Sequence, residues 1–151
     1  MKFARVSLVA AAFAAAALAA PPATAQRGGE TTTHQIEAVL ADPEFATLTQ
    51  GVRFYFGSQP HPAIQQRIER DVTTARPARS RHRDTESSCH RAMLNSLVAL
   101  RDYALRNGGN AVVNIRSNTN LLEFSSRTEY QCVAGRMRAT AALKADIVRI
   151  R

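Results

Sequence analysis

The clearest pattern of apolar and polar positions in the chain lies between Asp84 and Gly109. Apolar residues recur there at steps of three or four, at Cys89, Met93, Leu97, Leu100 and Ala104. This spacing predicts one amphipathic helix of about five turns. Asp84, Thr85, Ser87 and Ser88 are candidate N-caps, and Asn107-Gly108-Gly109 predicts a left-handed stop.

Strand patterns lie on both sides of this helix. Val52, Phe54 and Phe56 alternate with polar neighbours, and residues 111–115 are apolar enough for a central strand. Two later segments alternate as well, over residues 130–134 and 137–148. In the second, the apolar positions are Ala139, Ala141, Leu143, Ala145 and Ile147. The predicted fold class is α+β, with one long helix packed on a small mixed, mostly antiparallel sheet.

The segments before the helix are less uniform. Ile36, Val39 and Leu40 predict a short helix, and Asp42-Pro43 predicts the start of another turn or two. Residues 63–71 fit a helix through Ile64 and Ile68, whereas residues 72–74 are equally typical of a strand. Both assignments stay open for this stretch.

Arginine, proline and serine dominate the next stretch, and the apolar periodicity stops. Arg76, Arg79, Arg81 and Arg83 lie within eight residues. We predict a mobile basic loop over residues 75–86, with these four arginines as the candidate contact for an anion or a partner protein. The alternative is an ordinary solvated run of charge.

The N-terminal residues have the pattern of a secretory leader. Lys2 and Arg5 precede an apolar run over residues 6–20, and Ala23-Thr24-Ala25 is typical of a cleavage site. We predict a signal peptide over residues 1–25, a flexible lead-in over 26–33 and a single domain over 34–151. An uncleaved anchor is the alternative, but the run is short for a span of about 20 residues.

Export predicts a periplasmic or secreted protein with no transmembrane segment after cleavage. The residue directly after the predicted cleavage point is Gln26 and not a cysteine, so lipid attachment at a new N-terminal cysteine is not expected. The formal net charge is +8, and it falls to +6 without Lys2 and Arg5. A basic protein favours anionic partners without choosing among them.

Cys89 and Cys132 are the only cysteines in the chain. In an oxidising compartment an isolated pair is most simply one disulfide. A redox switch and a metal site remain the alternatives. The metal site would use Cys89, His90 and Cys132, and His82 lies nearby in sequence.

The histidines form no recognisable catalytic or metal motif. Pro60-His61-Pro62 predicts a rigid surface turn, and no second ligand stands at metal-binding spacing beside His61. We therefore predict no catalytic residues and no cofactor.

Three stretches carry a resemblance: Cys89 at the start of a helix, then GGNAVVNI, then EYQCVAGRMRATAALKA. Together they resemble the RcsF-type envelope stress lipoproteins and, more distantly, the YbjQ-type putative heavy-metal-binding proteins. The resemblance implies a small α+β domain with a disulfide from helix start to strand, matched by Cys89 and Cys132. The lipidated cysteine and second disulfide of the RcsF type are absent here, so anchoring and signalling are not carried over.

The front half, with FYFGSQPHP, resembles a group of uncharacterised exported bacterial proteins. Some proteins of this kind carry the name excinuclease ATPase subunit. The chain has no G-x-x-x-x-G-K-[ST] phosphate loop and too few cysteines for four-cysteine zinc sites. The sequence therefore does not predict that activity.

The leading functional expectation is a non-catalytic envelope protein that binds a partner or senses the envelope. The partner would be an unknown envelope protein or an anionic surface component. A Cys/His metal-binding protein is the alternative, and a basic nucleic-acid-binding or anion-binding protein is less favoured because the arginine run has no interleaved aromatic residue.

Overall fold

The structure is a computed structural model in which residues 29–80 and 84–151 are described. Within them the chain forms three helices and seven strands. In chain order they are β1 (Glu30–Gln35), α1 (Ile36–Leu40), α2 (Pro43–Leu48), β2 (Arg53–Phe56), β3 (Ile64–Arg79), α3 (Thr85–Arg106), β4 (Ala111–Thr119), β5 (Leu122–Phe124), β6 (Glu129–Ala134) and β7 (Arg138–Ile150). The predicted signal peptide lies outside the described residues, as do Arg81, His82 and Arg83.

Strand β7 organises the sheet. One edge of β7 pairs antiparallel with β3 along its whole length. Its other edge is shared by β4 and β6, both antiparallel to it. Beyond these, β1 pairs with β6 and β5 with β4, also antiparallel, while β2 and β4 are parallel. The α+β class is confirmed, and so is a disulfide between Cys89 and Cys132.

The stretch after residue 63 is strand β3, so the helical assignment of residues 63–71 is wrong. The register between β3 and β7 shifts three times between Ile64 and Val72. Each bulge can reverse the face toward which the following side chains point. Ile68 and Val72 pack against the core on the α3 side of the sheet, whereas Ile64 packs against the small cluster on the opposite side. All three are partly buried at a spacing of four residues, which resembles the period of a helix.

The basic loop predicted over residues 75–86 is wrong at both ends. Ala75 to Arg79 complete β3, and Thr85 already begins α3. Pro77 is tolerated because β3 pairs only with β7 among the described strands, and an edge strand can lack one donor. The flexible lead-in over 26–33 is also wrong for Glu30 to Thr33, which pair with β6.

Helix α3 covers one face of the sheet. Its stripe of Cys89, Met93, Leu97, Leu100 and Ala104 is buried as predicted. The inward residues of β7 are mostly alanines, which allow the helix backbone to come close to the strand. A side-chain carbon at Gly109 would lie 2.9 Å from Ile147 Cγ2, so the turn after α3 requires a glycine there. None of the helices in the described part of the chain is long and apolar enough to cross a bilayer.

Candidate functional site

The disulfide joins the first turn of α3 to β6. Cys89 and Cys132 are completely buried, with Cα atoms 5.8 Å apart and 43 residues apart in sequence. Closing a loop of that length stabilises the fold by about 4 kcal/mol in the chain-entropy model. The bond thus fixes the end of the helix that is farthest from the glycine turn.

The disulfide also takes both sulfurs out of the alternative metal site. Neither cysteine can supply a thiolate ligand in this oxidised form. The imidazole of His90 is engaged elsewhere, with its Nε2 2.7 Å from Asp42 Oδ2. Across residues 29–80 and 84–151, no group of three His, Cys, Asp or Glu side chains is placed to hold a metal ion.

Asp42 and His90 instead join α2 to α3. Asp42 accepts a hydrogen bond from the Glu44 backbone N–H, which together with the His90 contact lowers the pKa of the carboxyl. Next to this pair, Glu44 forms an ion pair with Arg91 at 2.7 Å. These contacts hold the start of α2 against α3.

The Pro60-His61-Pro62 segment lies in the exposed connection between β2 and β3. The His61 ring meets the edge of Tyr55, with centroids 5.6 Å apart, and its Nδ1 lies 2.9 Å from the Pro62 carbonyl oxygen. The side chains of all three residues are exposed.

A groove runs along the outer surface of α3. Its floor is a stripe of that helix, and its walls are the end of β3 on one side and Leu48 of α2 on the other. The volume is about 500 Å³. The lining residues are Leu48, Arg76, Pro77, Asn95, Val98, Ala99, Asp102 and Arg106.

Hydrogen bonds from α3 hold the β3 wall of this groove in place. The buried Ser96 hydroxyl donates to the Ala141 carbonyl at 2.7 Å and accepts from the Arg76 N–H at 3.1 Å. The Asn95 amide donates to the Pro77 carbonyl at 3.3 Å. The backbone from which the Arg76 side chain departs is thereby anchored to both the helix and β7.

The groove has a cationic rim above a partly apolar floor. Arg76 and Arg106 form no ion pair with any of the described residues, whereas Asp102 is paired with Arg101 at 2.9 Å. Val98 and Ala99 are half-buried in the floor, and Leu48 is 40% exposed at the wall. The arrangement suits a ligand that has both carboxylates and apolar groups.

The structure separates the arginines that the sequence grouped together. Arg76 lines the groove, while Arg79 lines a smaller cleft of about 250 Å³ with Ser87, Ser88 and Arg91. Arg81 and Arg83 lie outside the described residues. Arg106, Leu48 and Ser96 were missed by sequence reasoning. The one available signal was Ser96, a polar residue within the apolar stripe of the helix.

Another cleft lies beside the first turn of α3, with a volume of about 390 Å³. His34 and Tyr130 line it, with their ring centroids 5.5 Å apart, together with Glu86 and His90. Burial lowers the pKa of His34, and the charge of Glu86 partly opposes this. Burial also raises the pKa of the Tyr130 hydroxyl.

No protein-family model, curated protein or solved structure matches this chain. The resemblance to the RcsF and YbjQ types therefore stays an expectation from short sequence motifs.

Proposed function

We propose that this protein is a non-catalytic, exported binding protein whose groove along α3 holds an acidic segment of an envelope protein. The observation that carries the proposal is the pair Arg76 and Arg106, two guanidinium groups without ion-pair partners in the described chain, above the apolar floor of Val98 and Ala99. Export is supported by the leader pattern of residues 1–25 and by the disulfide, which persists in oxidising compartments.

The residues of the groove favour a peptide over a nucleic acid. No aromatic ring is present among the lining residues, so a base has nothing to stack on. The apolar floor and the Leu48 wall instead offer contacts to aliphatic side chains of a peptide. The two arginines then set a preference for Asp and Glu in that peptide.

The first experiment is photocrosslinking in intact cells. A photoreactive amino acid at position 48 reports on the groove, and one at position 40 serves as the control. Leu48 and Leu40 have nearly equal exposure, 40% and 39%, but only Leu48 lines the groove. We expect one or a few defined adducts from position 48 that position 40 does not give.

Charge reversal identifies the chemistry of the contact. The variant Arg76→Glu/Arg106→Glu should reduce the crosslinking yield about tenfold, because two attractive contacts become repulsive. Arg70→Glu changes an exposed arginine of the same strand outside the groove lining and should leave the yield unchanged. Equal adducts from positions 48 and 40, or full yield after the double reversal, would contradict the proposal.

A further inference from the structure

The tip of the β4–β5 hairpin exposes two leucines in an unfavourable backbone setting. Asn120 and Leu121 form the two-residue turn, with φ values of 52° and 63°. Turns of this kind favour Asn-Gly, and a bulky residue at the second position is strained. Leu121 is 87% exposed and Leu122 73% exposed, so burial within the domain does not compensate.

The base of this hairpin is held firmly to the sheet. Glu123 of β5 forms ion pairs with Arg116 at 2.6 Å and with Lys144 at 2.5 Å. Arg116 also pairs with Asp71 of β3. These ion pairs fix the base of the hairpin that carries the two exposed leucines at its tip.

The hairpin tip points toward one end of the sheet. Both β4 and β6 run antiparallel to β7, so both advance toward Arg138 at its start. The turn between β6 and β7 lies at that end and exposes 80% of Met137. We call this region the Arg138 end, defined by Arg79, Leu121, Leu122, Arg136, Met137 and Arg138.

The Arg138 end is cationic without internal compensation. Arg79 and Arg138 face each other across the β3–β7 pair, and like charges in that position repel. Neither they nor Arg136 forms an ion pair with a described residue, and Glu30, opposite Ala134, is not paired with any of them. An external anionic surface would relieve the repulsion.

We infer that the Arg138 end docks on the surface of an anionic lipid bilayer. Leu121, Leu122 and Met137 enter the boundary between headgroups and acyl chains, and the arginines contact headgroup phosphates. Exposed aliphatic side chains and cations at the same end of a domain have the chemistry required for interfacial binding. β1 also begins at this end, since Gly29 lies against Ala134.

This surface is separate from the groove along α3. None of the six residues of the Arg138 end lines the groove. Reversing Arg76 and Arg106 should therefore leave membrane binding intact, and failure of either proposal leaves the other standing.

The test is flotation of the purified exported protein with lipid vesicles. We expect binding to vesicles of phosphatidylethanolamine with phosphatidylglycerol, and much weaker binding to pure phosphatidylcholine. Arg136→Gln/Arg138→Gln should weaken binding to the anionic vesicles by about fivefold per arginine. Equal binding to both kinds of vesicle would overturn the role of the arginines.

Leu121→Asn/Leu122→Gln should weaken binding to the anionic vesicles by about tenfold or more. Asn accepts the left-handed backbone, so the melting temperature of this variant should not fall, which separates lost docking from misfolding. The control Leu40→Asn/Leu105→Asn changes two leucines of 39% and 41% exposure elsewhere and should bind like the wild type.

Two results would overturn the proposal. One is unchanged vesicle binding by Leu121→Asn/Leu122→Gln. The other is an absence of binding to the anionic vesicles by the wild type. If the wild type then also forms a concentration-dependent dimer in sedimentation that the same variant abolishes, the Arg138 end is assigned to contact with another copy of the chain.

Discussion

The two faces of the sheet are covered by different kinds of interaction. On the α3 face, fully buried residues such as Leu97, Leu143 and Ile147 meet, and the disulfide closes one end. On the opposite face a small apolar cluster, Ala111, Val113, Val148 and Ile150, lies beside charged groups. There Asp146 accepts hydrogen bonds from the Arg67 side chain at 2.9 Å and from the Asp71 N–H at 3.1 Å.

This difference predicts that the core under α3 contributes more to the free energy of unfolding than the charged groups on the opposite face do. Salt does not screen apolar burial or a covalent link, whereas it screens ion pairs near the surface, each of which contributes little. We therefore expect large losses of stability from changes in the core under α3, and smaller changes from substitutions in the charged groups of the opposite face and at the hairpin tip.

The largest loss should follow removal of the disulfide. Cys89→Ala/Cys132→Ala should lower the free energy of unfolding by about 4 kcal/mol, because the unfolded chain regains the entropy of a long loop. Urea unfolding followed by circular dichroism measures it. Reduced wild-type protein should give a similar loss, and a change of less than about 1 kcal/mol would remove the disulfide from the account of stability.

A cavity in the α3 face should come next. Leu97→Ala removes a side chain that is completely buried and should cost about 3 kcal/mol in the same measurement. Leu105→Ala, on the same helix but 41% exposed, is the matched control and should cost less than about 1 kcal/mol. Similar costs for the two would argue against a tightly packed core under α3.

For the charged groups on the face opposite α3, the expected loss of stability is smaller. Asp146→Asn keeps the shape of a side chain that is 11% exposed but removes the charge that faces Arg67. We expect a loss of about 1–2 kcal/mol, which added salt should reduce. Asp102→Asn, whose partner is Arg101 and whose side chain is 43% exposed, should change stability by less than about 0.5 kcal/mol. A loss at Asp146 as large as that of Leu97→Ala would erase the contrast between the faces.

At the tip of the β4–β5 hairpin we expect a substitution that raises stability instead of lowering it. Leu121→Gly relieves the strain of a left-handed leucine and should raise the free energy of unfolding by about 0.5–1 kcal/mol. Leu122→Gly, at a strand position next to it, should lower it. Thermal unfolding of the two single variants distinguishes them, and a destabilised Leu121→Gly would show that the turn is not strained.

The smallest effect concerns pH on the α3 face. Burial beside Tyr130 lowers the pKa of His34, so the unfolded chain binds its proton more readily than the folded one. Stability should therefore fall as the pH drops through the range below about 6.5. His34→Gln should flatten that slope, whereas His61→Gln, in the exposed turn, should keep it. Identical pH profiles for wild type and His34→Gln would exclude this coupling.

Much of the α3 region could be predicted because its signals are local. The steps of three and four residues placed Cys89, Leu97 and Ala104 on one face, and Asp84 caps the helix, accepting a hydrogen bond from the Ser87 N–H at 2.9 Å. The alternation in β7 likewise predicted its inward face, from Ala139 to Ile147. Each of these signals depends on the periodicity of one element alone.

The course of β3 could not be predicted because its pattern depends on its partner. Three shifts of register against β7 interrupt the alternation of side chains around Arg67 and Glu69. Asp71, which lies within the last of these shifts, adopts a left-handed backbone with φ of 56°. Bulges are specified by how two strands fit together, and the sequence of one strand does not contain that information.

By itself, the sequence determined the α+β class, the buried stripe of α3 and the pairing of two cysteines, since helix period, capping and cysteine count are properties of neighbouring residues. Only the tertiary structure decided that Leu48, Arg76 and Arg106, from three separate elements, line one groove, and that Leu121 and Met137 point to the same end of the sheet. These positions follow from long-range strand register and helix packing, which bring together residues that share no local pattern.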